Sequence, residues 1–141
     1  MKQAIAQIEL PVFTLQLEPA ECRFDSADEI ASHLKQQIES HKAAKYIATF
    51  NHLEHTASLP EGRIADDIDA AINLVFCFGF SLQDASQLAL RPRSIGICHD
   101  SSGFTISFTE APMPVVNALM EEWANSLKQD YPAVQGAIGN A

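Results

Sequence analysis

From Leu10 to Leu17 the apolar residues Phe13, Leu15 and Leu17 fall on every second position, with Val12, Thr14 and Gln16 between them. A period of two belongs to a strand with one buried face. Pro11, with no N–H to give a ladder, puts this strand at an edge or marks its start. The period then lengthens: Ile30, Leu34 and Ile38 recur at helical spacing behind Ser26 and Glu29, a capping-box pair, which predicts a helix from Ala27 to about Ala43. Tyr46, Ala48 and Phe50 return to period two, in a second strand that runs toward His55. Strand, helix and strand in this order predict a right-handed crossover between neighbouring or nearby strands.

Ser58 to Gly62 reads as a loop, and Ile64, Ile68, Ala71 and Ile72 as a short helical turn among acidic residues. Ile72 to Phe80 is the most apolar run, rich in aromatic and β-prone side chains, and predicts a buried strand. A short helix from Asp84 to Leu90 is stopped by Pro92. Ser94 to His99 and Phe104 to Thr109 flank Asp100, Ser101, Ser102 and Gly103 as the arms of a hairpin. Pro112 and Pro114 lead into a last helix whose buried stripe is Val116, Leu119, Met120, Trp123 and Leu127. Gln129 to Ala141 has little periodicity and reads as a loose tail. The sum is one domain over 1–141 with a globular core of about 8–128. Its class is α+β, a two-layer sandwich of order β-α-β-β-(short α)-β-β-α: a mostly antiparallel five-stranded sheet with the two main helices on one face.

In the three later strands one parity is large: Ile72, Leu74, Phe76, Phe78 and Phe80, then Ile95 and Ile97, then Phe104, Ile106 and Phe108. The other parity is small and uncharged: Asn73, Val75, Cys77 and Gly79, then Ser94, Gly96 and Cys98, then Thr105, Ser107 and Thr109. A sheet face turned to water ordinarily carries long charged side chains. The expectation is therefore that something covers this face, a ligand or a second copy of the chain, reached through hydroxyls, amides and thiols. Asn73, Cys77, Gly96, Cys98 and Ser107 are its candidate ligand-binding residues.

Composition narrows the classes. In 141 residues, 9 basic against 18 acidic side chains give a net charge of −9, which repels nucleic acid and anionic membrane surfaces alike. Cys22, Cys77 and Cys98 are odd in number and form no C-x-x-C pair, so a reducing compartment without disulfides is expected. The opening MKQAIAQIEL lacks the apolar stretch of a signal peptide, and no uncharged run reaches the ~20 residues that span a bilayer. The expected location is the cytoplasm.

Candidate chemistry is sparse. His52, Glu54 and His55 lie close together, but on a strand the two histidines point to opposite faces and leave too few ligands for zinc. No metal site and no cofactor is expected. Cys77 and Cys98 sit in apolar strands, whereas a nucleophilic thiolate needs a cation or a helix N-terminus beside it. Arg91 and Arg93 bracket Pro92 on one side of an extended segment, placed to grip a carboxylate or phosphate or to pair with the chain's own acids. Asp66, Asp67 and Asp69 read as a solvated helical face. No Walker loop, G-x-G-x-x-G, G-x-S-x-G or H-E-x-x-H occurs. The reading is a non-catalytic binding or sensor domain using the small face. The alternatives are a homodimeric subunit joined by that face, and an enzyme using Cys98, His99, His52 or the arginine pair.

The segments FNHLEHT, SLPEG, VFCFGF, LRPRSIGI and EAPMP, from Phe50 to Pro114, resemble those of a family of small uncharacterised bacterial proteins with a β-α-β-β-β-β-α core. The resemblance runs from about Pro11 to Trp123. It implies the fold and brings no reaction, so it assigns no catalytic residue.

Overall fold

The structure is a computed structural model and describes residues 1–132. Five strands, β1 (Val12–Leu17), β2 (Ala44–Asn51), β3 (Ala70–Phe78), β4 (Arg93–Asp100) and β5 (Gly103–Thr109), form one sheet in the order β1-β5-β4-β3-β2. Every neighbouring pair is antiparallel. Three helices, α1 (Ala27–Ser40), α2 (His52–Ser58) and α3 (Pro114–Asn125), complete the regular structure of the described residues together with short 3₁₀ segments at Pro19–Glu21 and Ala85–Leu90. The chain is thus α+β, with α1 and α3 sharing one core against one face of the sheet.

The alternation of side chains along the ladder decides which face that is. Ile72 stands opposite Ile97 and Ile97 opposite Ile106, while Phe76 pairs with Arg93, so the large residues of successive strands fall in register. They meet Ile30, Leu34 and Ile38 of α1 and Val116, Met120 and Trp123 of α3 in a continuous buried cluster. Phe76 and Trp123 meet edge to face with ring centroids 5.7 Å apart, an arrangement aromatic quadrupoles favour. Ser26 caps α1, its hydroxyl accepting from the Glu29 N–H at 3.1 Å. The helix stops at Ser40 rather than Ala43, because the Ala43 carbonyl already accepts from the Gly79 N–H as the chain enters β2.

Several sequence-based expectations are corrected. β1 and β2 are the two outer strands of the sheet, parallel to each other with three strands between them, so the α1 connection crosses the whole sheet rather than joining neighbours. β2 ends at Asn51 instead of running on to His55: Asn51 Oδ1 accepts from the Glu54 N–H at 3.0 Å and starts α2. From Ile64 to Ile72 there is no helix, only a single turn in which the Ile68 N–H donates to the Ala65 carbonyl at 3.1 Å. The Asp69 N–H donates to the His99 carbonyl, and Ala70 enters the ladder opposite His99. Phe80 lies beyond β3 and is 77% exposed, outside the buried parity.

Of the tail expected from Gln129 to Ala141, residues 133–141 lie outside the described residues. Residues just before them are tied to the start of the fold: the Gln129 N–H donates to the Glu21 carbonyl at 2.7 Å, and Cys22 bridges Lys128. Among the described residues no helix is long and apolar enough to cross a membrane.

Candidate functional site

The face of the sheet turned away from α1 and α3 is built from rows read across the strands. The longest row runs Thr14, Ser107, Gly96, Asn73, Phe50, and beside it lie Gln16, Thr105, Cys98 and Ala71. On the other side come Ser94, Val75 and Ala48, then Cys77 opposite Lys45. Lys45 at one corner and Asp100 at the hairpin end are the charged residues of these rows. The Asp100 carboxylate is turned into its own turn, where it accepts from the Ser102 N–H at 2.9 Å and hydroxyl at 2.6 Å. The middle of the face is therefore neutral in a chain of net charge −9.

At its centre is a directional chain of hydrogen bonds. The Asn73 amide donates through Nδ2 to Ser94 Oγ at 3.1 Å, which leaves Oδ1 to accept from His52 Nδ1 at 3.1 Å. In the neutral imidazole this bond places the ring proton on Nδ1 and leaves Nε2 as an acceptor, and the Ser94 hydroxyl retains a proton to donate. Gly96 lies between this chain and Ser107; a β-carbon on it would stand 3.7 Å from Asn73 Nδ2 and 3.4 Å from Ser107 Oγ. The missing side chain leaves a notch in the floor of an open groove of about 410 Å³. Leu10, Val12, Ala89, Leu90 and Pro92 line it around that floor, together with Arg93 as its one charged residue.

His52 and His55 do not point to opposite faces of a strand as the sequence implied. They sit on one turn of α2 with ring centroids 6.0 Å apart, and both rings lie against Phe50 at 5.5 and 5.4 Å. Asn51 followed by Glu54 at capping distance is the signal that would have revealed this turn. Among the described residues no three histidine, cysteine or carboxylate side chains converge as a metal site would require.

The remaining candidates separate. Cys98 faces the open side, whereas His99 faces the helices, its ring 4.6 Å from that of Phe104. His99 Nδ1 lies 2.5 Å from the Asp69 carboxylate, and Asp67 accepts from the Ser101 hydroxyl at 2.6 Å. Asp67 thus ties the segment before β3 to the β4–β5 turn and Asp69 ties it to β4; the three aspartates are exposed as expected, but on an irregular segment rather than a helical face. Burial, with Asp100, Asp67 and Asp69 nearby, pushes the Cys98 thiol above its ordinary value, the reverse of what a nucleophile needs. Cys77 is half-buried and Cys22 buried; all three thiols are free.

Arg91 and Arg93 line a single cavity on the helix side of the sheet. Among the described residues neither has a carboxylate within salt-bridge distance, which corrects the alternative that they pair with the chain's own acids. Arg93 is only 9% exposed and donates through Nη2 to the Thr109 carbonyl and hydroxyl. Arg91 Nη1 donates to the Ser81 carbonyl at 2.8 Å.

Compared with known proteins, residues 1–129 match the model of a family described as a family of unknown function (DUF6858). No curated protein and no solved structure matches the chain.

Proposed function

This chain belongs to the DUF6858 family, and with no activity to inherit from it we propose a non-catalytic binding domain that holds a small neutral molecule in the groove over Gly96. The observation that carries this reading is the groove floor. Asn73, Ser94 and Ser107 present amide and hydroxyl groups around a residue with no side chain, and the one charged residue of the lining, Arg93, is already engaged by the Thr109 carbonyl and hydroxyl. Neutral donors and acceptors on a concave floor select a ligand by hydrogen bonding without the cost of desolvating an ion. The reading is of binding rather than turnover, because Cys98 and His99 face opposite sides of the sheet and the thiol is held in its protonated form. It has the protein working in the cytoplasm, where three unpaired cysteines stay reduced. Its net negative charge argues against nucleic acid as partner.

A second reading, a homodimer joined through the same face, is favoured by the β2 side. There Ala48, Val75 and Phe50 extend the neutral surface with apolar groups, Phe50 being 42% exposed. The two readings are tested together by screening sugars, nucleosides and amides by thermal shift, with amide chemical shifts to place any hit. A ligand in the groove raises the apparent stability and moves the signals of Asn73, Ser94, Gly96 and Ser107. Gly96→Leu abolishes both effects while its own spectrum stays folded. Hits indifferent to Gly96→Leu would sink the groove reading, and light scattering that reports twice the 15.4 kDa chain mass would favour the dimer.

A further inference from the structure

On the helix side, where β3 ends and α3 begins, Phe78, Leu90, Met113 and Val116 enclose with Arg91 and Arg93 a cavity of about 270 Å³. Its walls are apolar apart from the guanidiniums and Gln87, and no carboxylate lines it. That is an unusual place for two cations in a chain with twice as many acids as bases. The carbonyls of Thr109, Leu90 and Ser81 satisfy some of the arginine donors but supply no counter-charge. Burial without a compensating anion lowers the Arg93 pKa from its ordinary value, a shift with desolvation as its only cause. A guanidinium nonetheless keeps its proton, so the positive charge stays in the cavity wall. The start of α3 adds to it: Met113 at the cap position makes no side-chain cap, and the first turn holds no acidic residue. The positive end of the helix dipole is therefore not offset there by the chain itself.

We infer that this cavity is a binding site for a small monocarboxylate with an apolar body, its carboxylate on Arg91 and Arg93 and its hydrocarbon part among Phe78, Leu90, Met113 and Val116. The planar fork of arginine matches a carboxylate with two parallel hydrogen bonds. The apolar walls disfavour a polyanion such as a nucleotide, whose remaining charges would be stripped of water without partners. The volume lies just under the roughly 300–1,000 Å³ of pockets for drug-sized ligands, which fits a short fatty acid or an aromatic acid. The site does not depend on the groove over Gly96: the two hollows lie on opposite faces of the sheet and have only Leu90 and Arg93 in common.

The test is a titration of the full ¹⁵N-labelled chain with sodium octanoate, octan-1-ol and inorganic phosphate at constant pH and ionic strength. Octanoate is expected to saturate with shifts centred on the amides of Phe78, Leu90, Met113 and Val116. Octanol is expected to bind at least about tenfold more weakly, as loss of a charge-assisted pair implies, and phosphate is expected not to saturate. Arg91→Gln should weaken octanoate about tenfold and leave octanol unchanged. Since that change also removes the bond to the Ser81 carbonyl, Met113→Glu supplies a second variant, which sets a carboxylate at the mouth of the cavity and should repel octanoate alone. Octanol binding as well as octanoate, saturating shifts elsewhere on the molecule, or no saturation by about 10 mM, the millimolar end of the affinity scale, would each overturn the inference.

Discussion

Two glycines in adjacent strands answer to different constraints. At Gly103 the backbone has φ +119°, and a β-carbon would collide with the Leu17 carbonyl oxygen and come within 3.1 Å of Glu18 Cα. At Gly96 a β-carbon would meet its nearest neighbour at an ordinary 3.4 Å and would leave the backbone unstrained. Gly103→Ala should therefore destabilise the fold by about 1–3 kcal/mol. Gly96→Ala should fall within about 1 kcal/mol of wild type, with a stabilising sign if the lost freedom of the unfolded chain dominates. Chemical denaturation of the pair checks this, and equal losses at both would mean that Gly96 is held by packing. The sequence showed Gly96 among small residues but not its notch, because the register that sets Ser107 beside it is a property of two strands.

His33 gives the residue scale a pH dependence. Its Nε2 lies 2.8 Å from Ser126 Oγ, and burial, aided by the Arg23 charge, holds its pKa below the ordinary 6.5. The unfolded chain then takes up this proton first, so stability falls as pH drops through 6.5 toward the lower folded value and is unaffected by this group above it. Glu121, sharing a proton-mediated bond with Glu110, is raised from 4.5 and acts with the opposite sign from there upward. The difference between wild type and His33→Gln isolates the histidine. Wild type should lose more of its melting temperature than the variant between pH 7.5 and 5.5, a window that brackets the ordinary histidine value. Parallel profiles would show that His33 titrates alike in both states.

At the scale of elements, α2 shows why strand and helix were confused. Tyr46, Ala48 and Phe50 alternate as strand residues do, and they are in β2, although a register shift between Tyr46 and Ala48 takes up Ile47. What ends the strand is Asn51, whose side chain accepts from the Glu54 N–H just as Ser26 accepts from Glu29 at the start of α1. The same spacing was present in both places. Only the first was followed by a long apolar stripe, and a seven-residue helix with no buried side chain has no such stripe to read. Replacing Asn51 by alanine should cost about 0.5–2 kcal/mol and loosen His52 from Asn73, visible as a change in the His52 ring signals. An unchanged ring environment would mean that stacking on Phe50 alone holds α2. The acidic stretch before β3 misled for a related reason: Ile64, Ile68 and Ile72 have helical spacing, but Asp67 and Asp69 find better partners in Ser101 and His99, 34 and 30 residues away. By contrast α1, α3 and the β4–β5 hairpin were legible, since each carries a long periodic stripe or a turn signal of its own. The core they share sets the cost of disrupting it: Phe76→Ala or Trp123→Ala should each lose about 3–5 kcal/mol. Because the rings touch, the double variant should lose less than the two losses taken together.

For the whole molecule, the antiparallel order β1-β5-β4-β3-β2 leaves one face under α1 and α3, while among the described residues the other carries the short α2 at its β2–β3 side, through the bond of His52 to Asn73. The three thiols sample these environments. Cys22 is buried, while Cys77 and Cys98 lie half-buried on the open face. Burial, with Asp100, Asp67 and Asp69 nearby, raises the Cys98 thiol, while Cys77 lies at the other end of the face, opposite Lys45. Since the thiolate is the reacting form, a bulky maleimide should label Cys77 first, Cys98 more slowly and Cys22 only on unfolding. The order follows from the single chain, and its dependence on protein concentration separates the two readings of the face. A groove for a small molecule leaves Cys77 accessible at every concentration, because the groove lies over Gly96 and does not reach the Lys45 corner. A second copy seated on the face would cover both thiols and slow them in step with dimer formation. We expect site-resolved mass spectrometry to find Cys77 labelling at a rate independent of protein concentration. Protection of Cys77 and Cys98 that grows with concentration would transfer the face from ligand to partner.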